Sequence, residues 1–275
     1  MTNIGKPYEG ELHVRFDEEG LNFLQPFTLE HESVSGEGQG IVRYDKLAFI
    51  GAMDEEIDSF HSLMENGREV VHAGITFRQG YFFGKEVVVC RSGVGKVNAA
   101  VCTQLLVDRF GIDAIIFTGV AGALDPELAI GDIVISDECM QHDMDATALG
   151  YAKGTIPYQS VSIFPADVHL ADMAYKISRK WFGDRVKRGR VLSGDQFIAD
   201  REMVRVLHAE MRGMCAEMEG AAVAQVCHMN SIPYVVIRSM SDKADGSAHV
   251  DFPEFCRAAA DNASRIVTDL VKEML

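Results

Sequence analysis

Two acidic clusters stand where a sheet would present them to one ligand. The apolar run Val235-Val236-Ile237 reads as a buried parallel strand and leads into Arg238-Ser239-Met240-Ser241-Asp242. The run Leu47-Ala48-Phe49-Ile50 ends in Gly51-Ala52-Met53-Asp54-Glu55-Glu56. Ligands of open α/β sheets bind just beyond the carboxyl ends of the strands, so both clusters are candidates for chemistry. A carboxylate at each of two strand mouths suggests one acid and one base acting on opposite sides of a bond. Acidic residues in a first helical turn also stabilise the helix by ~0.3–1 kcal/mol each, and two of Asp54, Glu55 and Glu56 are expected to do only that.

Four further segments follow strands in the same way. Gly93-Val94-Gly95-Lys96 resembles a phosphate cradle, but Val97 stands where a P-loop needs Ser or Thr and the upstream glycine is missing. It reads instead as a tight turn that admits a close approach of another group to its backbone. Thr118-Gly119-Val120-Ala121-Gly122-Ala123 either lets a ligand lie against bare amides or packs as a turn beneath a helix. Ser193-Gly194-Asp195-Gln196-Phe197-Ile198 offers an aromatic ring beside main-chain donors, a seat for a flat heterocycle, unless Phe197 and Ile198 are core. Glu217-Met218-Glu219-Gly220-Ala221-Ala222 reads as the opening of a helix. A carboxylate there is expected to stay ionised and to accept two hydroxyl hydrogen bonds, while its neighbour caps. His142-Asp143-Met144-Asp145 is not expected to hold a metal, because its side chains diverge on either a helix or a strand.

These segments need strands and helices to hold them. Strands are expected at 47–50, 87–90, 114–117, 133–135, 189–192 and 235–237, and helices at 97–110, 170–181, 217–227 and after Val250. The last helix has Asp251 as its expected N-cap, with Glu254 at the capping-box spacing and an apolar stripe Phe255, Ala259, Ile266, Leu270. Such alternation predicts an α/β fold, a mostly parallel sheet with helices on both faces. Residues 1–44 differ: they carry three basic and eight acidic side chains and a glycine-rich stretch, Ser35 to Gly40. They are expected to form an N-terminal appendage without an identifiable chemical role, leaving 45–275 as the catalytic domain.

Composition narrows the function. A formal charge of −15 argues against nucleic acid as a partner and favours a neutral or zwitterionic small molecule. No apolar stretch approaches the ~20 residues of a membrane span, and no secretory signal opens the chain. The six cysteines are scattered without a CxxC pair, which suggests reduced, buried thiols and a cytoplasmic protein.

Taken together and in this order, the segments I-G-A-M-x-E-E, S-G-V-G-K-V-N-A-A, G-D-I-V-I-S, S-G-D-x-F-I, E-M-E-G-A-A and R-S-M-S-D resemble the purine nucleoside phosphorylase superfamily. The resemblance covers about 46–275 and leans to its hydrolytic branch, the 5′-methylthioadenosine/S-adenosylhomocysteine nucleosidases. It implies a three-layer α/β/α sandwich around a mixed, mostly parallel sheet, usually a homodimer, with no cofactor or metal. Carried over by position, it implies that Glu56 activates water and Asp242 protonates N7 of the departing adenine. Ser241 would orient that aspartate, and Arg238 would line the water site. Met218 and Glu219 would contact the ribose, Glu219 through the sugar hydroxyls. Phe197 would stack on adenine and Ile198 offer it backbone hydrogen bonds. Phe252 would be a lid over the apolar 5′ substituent, and Met53, Val120, Ala121 and Gly122 would be further substrate-binding residues, Val120 in the turn beside the water. Many relatives have serine where Val120 stands, so the water would lose one partner here. Leu149 and Pro157 would close the pocket of a second subunit. Two rivals stay open, a phosphate-dependent phosphorylase and a non-catalytic nucleoside sensor on the same scaffold.

Overall fold

The layering follows from how single strands divide their side chains. In β1 (Lys46–Gly51), Leu47 and Phe49 join one buried cluster while Ala48 and Ile50 join another. In β4 (Lys85–Arg91), Val87 and Val89 go with the first set, Val88 and Cys90 with the second. Strands apolar on both faces need a cover on each. On one side α1 (Asp54–Leu63), α3 (Val168–Phe182) and α6 (Ala248–Glu273) supply Phe60, Ile177 and Ile266. On the other, α2 (Lys96–Leu105) and α5 (Gly220–Asn230) supply Cys102 and Val223. A three-layer α/β/α sandwich results, as the motifs implied. The computed structural model describes residues 44–244 and 248–275.

The remaining strands are β2 (Glu65–His72), β3 (Ile75–Phe82), β5 (Ala114–Ala123), β6 (Ile133–Gln141), β7 (Ile163–Pro165), β8 (Val186–Ser193), β9 (Gly213–Glu217) and β10 (Tyr234–Asp242). Their order is β2-β3-β4-β1-β5-β9-β8-β6-β10, with β7 on β6. Because β10 also pairs with β5, the strands β5, β9, β8, β6 and β10 close into a ring. The sheet is mixed: β1 runs parallel to β4 and β5, and β5 to β10, whereas β5 with β9 and β6 with β10 are antiparallel. The carboxyl ends of β1, β8, β9 and β10 therefore gather around one end of β5.

All six expected strands are present, each longer than its apolar run. The β2–β3 hairpin was not anticipated, because β2 is polar and mostly exposed and carries no apolar signal. Three helix expectations need correction. Residues 217–219 do not open a helix: β9 ends at Glu217, and α5 starts at Gly220 with Glu219 as its N-cap. The helix expected over 97–110 is α-helical only to Leu105 and ends in a π-helical turn, Leu106–Phe110, stopped by left-handed Gly111. Helix α6 begins three residues before Asp251, the expected cap. Acidic residues are favoured both at a cap and within the first turn, so the local pattern does not tell the two apart.

The expected appendage, residues 1–44, lies outside the described residues except for Tyr44. That residue packs with the remainder: it is buried, its hydroxyl donates to Asp167 Oδ1 (3.0 Å), and its carbonyl accepts from Lys85 Nζ (2.7 Å). The core on the α1/α6 side centres on Phe49, stacked on Phe82 at 5.5 Å and tilted against Phe60 at 5.6 Å. Truncation of Phe49 to Ala removes these contacts, and the expected loss of stability is ~3–5 kcal/mol by urea unfolding. A loss below ~1 kcal/mol would show that this cluster does not hold the layers together.

Candidate active site

Glu56 is the third residue of α1, where the chain turns out of β1. Asp54 and Glu55 beside it are exposed, and Asp54 pairs with Arg91 at 2.8 Å. Glu56 alone of the three turns inward and is 4 % exposed. Its Oε2 accepts the amides of Ala52 (2.6 Å) and Met53 (3.0 Å), and its Oε1 accepts that of Val120 (2.9 Å). Burial raises its pKa above the usual carboxylate range, although Arg238 and the three amides pull the other way. The result is a fixed carboxylate with enhanced basicity. Gly119 makes this possible, since a Cβ there would lie 2.3 Å from Glu56 Oε1.

Asp242 closes β10 opposite Gly122 of β5, just after a register shift in that pairing. It is buried, with Oδ2 accepting from the Ser241 hydroxyl (2.8 Å) and Oδ1 from the Ala244 amide (2.7 Å). The Ser241 hydroxyl thus holds one oxygen of the aspartate.

Glu217 and Glu219 divide two tasks. Glu217, at the end of β9, takes the Gly220 amide on both oxygens (2.9 and 2.8 Å) and so caps α5. Glu219, although the N-cap residue by position, makes no side-chain cap bond; its Oε1 accepts the amide of Gly95 at 2.8 Å. The turn Gly93-Lys96 therefore serves carboxylates: Lys96 N donates to Asp195 Oδ1 (2.8 Å), and Gly95 holds a positive φ of 98° that brings its amide to Glu219. The expectation that Glu219 stays ionised is corrected. Burial, then the neighbouring Glu217, push its pKa up to about 8, outweighing the Gly95 amide and Arg238.

Met53, Glu56, Val120, Ala121, Gly122, Phe197, Ile198, Met218, Glu219, Ser241, Asp242 and Phe252 line one cavity of about 280 Å³. Phe197 and Phe252 meet edge to face, ring centroids 5.7 Å apart, at its side. Arg238 does not line it. That side chain is 1 % exposed, with its guanidinium 4.0 Å from the Phe117 ring centre and Nη2 2.6 Å from Glu217 Oε2. Leu149 is exposed, and neither it nor Pro157 borders this cavity. In the His142 segment, Asp143 binds Lys96 Nζ (2.6 Å) and the Asp195 amide (2.9 Å), while burial lowers the pKa of His142. Val120 donates its amide to Glu56, and that contact does not depend on a serine there.

A family model described as the phosphorylase superfamily matches residues 46–272. The chain belongs to that superfamily. It is 42 % identical over 230 residues to a 5′-methylthioadenosine/S-adenosylhomocysteine nucleosidase of Shewanella sediminis, covering 83 % of this chain and 100 % of the relative. It is likewise 42 % identical to one from Halalkalibacterium halodurans over 82 % of this chain and 97 % of that one. Among solved structures, the nucleosidase of Neisseria meningitidis in complex with methylthio-immucillin-A superposes with a TM-score of 0.80 at 39 % identity, over 83 % of this chain and 99 % of that one. A futalosine hydrolase of Helicobacter pylori also superposes at 0.80, with 33 % identity over 83 % and 98 %.

Three parts of the site were missed from sequence. Glu217 was read only as a spare cap, although its pairing with Arg238 is the most buried ion pair at the site. The Ala244 amide on Asp242 and the close approach of Gly119 to Glu56 depend on chain folding that no local pattern encodes. Gly119→Ala tests the last of these. The added methyl displaces the Glu56 carboxylate from the Val120 amide, and turnover is expected to fall at least ~10²-fold. Unchanged turnover would mean that the carboxylate position is not critical.

Proposed function

We propose that this protein hydrolyses the N-glycosidic bond of 5′-methylthioadenosine and S-adenosylhomocysteine, and also of 5′-deoxyadenosine, releasing adenine and the 5′-substituted ribose. The observation that carries this reading is the pair Glu56 and Asp242, each oriented by hydrogen bonds and facing one cavity.

Breaking the bond from C1′ to N9 leaves positive charge on the sugar and negative charge on the purine. Asp242, protonated when substrate is bound, gives its proton to N7, so that adenine leaves neutral. Glu56 takes a proton from water as the water oxygen bonds to C1′ on the opposite face. Each such proton transfer is worth ~10²–10⁴-fold. Ionised Glu56 also favours the cationic sugar in a site screened from bulk water, as does Glu219 in the fraction that has lost its proton. Glu219 receives the ribose hydroxyls beside Met218. Phe197 stacks on the adenine, Ile198 meets its edge through the backbone, and Met53 and Phe252 cover the apolar 5′ group. The chemistry needs only water and these side chains, with no cofactor.

The charges nearby support water over phosphate as the nucleophile. Arg91 is committed to Asp54 and Arg238 to Glu217, and Glu56 would repel an anion. Adenine release from 5′-methylthioadenosine is expected at equal rates with and without phosphate; a sugar 1-phosphate product would make the protein a phosphorylase. Glu56→Gln and Asp242→Asn should each cut turnover at least ~10²-fold while nucleoside binding persists. Wild-type binding without turnover would instead point to a sensor.

Glu219 sets a pH dependence. With a pKa of about 8 its accepting form is the minority at pH 7, roughly a tenth of the total. KM for the nucleoside is expected to fall as pH rises towards 8 and to level off above it. A KM flat from pH 6 to 9 would remove Glu219 from the diol.

A homodimer is part of the proposal. Val97 and Val101, one helical turn apart on α2, are exposed, as is Leu149, and they suit contact with a second copy. Among the described residues no helix is long and apolar enough to cross a membrane, and all six cysteines are free and buried, which supports a reducing, cytoplasmic setting.

A further inference from the structure

Glu217 is a buried carboxylate that the reaction itself does not use, yet four donors converge on it in five hydrogen bonds. Its Oε1 accepts from the Ser193 hydroxyl and the Gly220 amide, its Oε2 from the Glu219 amide (3.2 Å), the Gly220 amide and Arg238 Nη2. The Ser193 oxygen in turn accepts the Ala221 amide at 2.6 Å. The first amides of α5 are thus taken by Glu217 and by Ser193, from the ends of two strands.

An N-cap side chain ordinarily satisfies those amides itself. Glu219 holds the N-cap position, and its side chain bonds the Gly95 amide across the cavity instead. We propose that Glu217, clamped by Ser193 and Arg238, is a positioning residue that substitutes for Glu219 as the cap of α5 and so holds the Glu219 carboxylate free to face the ribose. Glu217 borders the cavity, but its carboxylate oxygens are taken up by these donors, so it acts through Glu219. The inference rests on the nucleosidase reading above.

The charged groups that face Glu219 are Glu217 on β9, Arg238 on β10 and Glu56 on α1, with the Gly95 amide from the turn before α2. Removing the charge of Glu217 takes away a repulsion and leaves Arg238 nearby, so ionisation of Glu219 should become easier. It also leaves one acceptor oxygen where two capped α5, and sets an NH2 against the other donors, so the α5 amides are less well held and Glu219 should swing back to cap them. Two opposite signatures follow, and they separate by pH.

The test compares wild type with Glu217→Gln and Ser193→Ala, using 5′-methylthioadenosine as substrate and adenine as inhibitor. Wild-type turnover is measured first, since its absence would sink the nucleosidase reading before this inference is reached. At pH 9, where Glu219 is ionised in both forms, Glu217→Gln should raise KM about tenfold or more, the cost of losing charge-assisted hydrogen bonds. The pH at which KM levels off should move below the wild-type value. The inhibition constant of adenine, which makes no ribose contact, should change less than twofold. Ser193→Ala, which leaves the Glu217–Arg238 pair in place, should raise KM in the same direction by a smaller factor and decides the matter if Glu217→Gln does not fold. Equal weakening of adenine and nucleoside would reveal a merely structural role, and a KM that does not move in the folded variants overturns the proposal.

Discussion

Four carboxylates, Glu56, Glu217, Glu219 and Asp242, are buried at the carboxyl edge of the sheet, with Arg238 as a buried cation among them. Taking that much charge out of water is costly unless each group finds donors, and one guanidinium cannot serve four acids. The fold answers with backbone. Glu56 has three amides, Glu217 has the start of α5, Glu219 has Gly95, and Asp242 has Ala244. Such amides are free only where strands end and helices begin. This requirement ties the site to the edge of the sheet.

The ring closure of β5, β9, β8, β6 and β10 determines which strand ends meet. β5 contributes small residues, so carboxylates from both neighbours, β1 and β10, can come against its backbone: Glu56 over Gly119 and Asp242 beside Gly122. β8 and β9 bring Ser193 and Glu217 to α5, and through it to Glu219. Asp242, Glu56 and Glu219 therefore arrive from different elements, each held by short local bonds. The basicity of Glu56 and the readiness of Glu219 to hold a proton come from the same burial that encloses the cavity.

Much of this was legible in the chain. The apolar runs of β1, β4, β5, β6, β8 and β10 stand out because strands covered on both faces cannot afford polar positions. The polar clusters that follow β1, β5, β8 and β10 lie at the site, because a strand's end is where side chains can leave the core. Of the described candidate residues, Arg238, Leu149 and Pro157 lie off the cavity wall. Arg238 turns inward to Glu217 and the Phe117 ring, and an arginine at a strand mouth looks the same in sequence whether it meets a ligand or an internal partner.

The sequence by itself determined the class of fold, the segments that build the site and the identity of its two central carboxylates, because these depend on periodicity and on motifs read along the chain. Tertiary structure alone decided how the acids share the available donors: that Glu217 caps α5 while Glu219 reaches Gly95, and that Arg238 turns inward. Those choices depend on which strands close the ring and on the desolvation of each group. Both are sums over contacts between residues far apart in the chain, and no local pattern carries them.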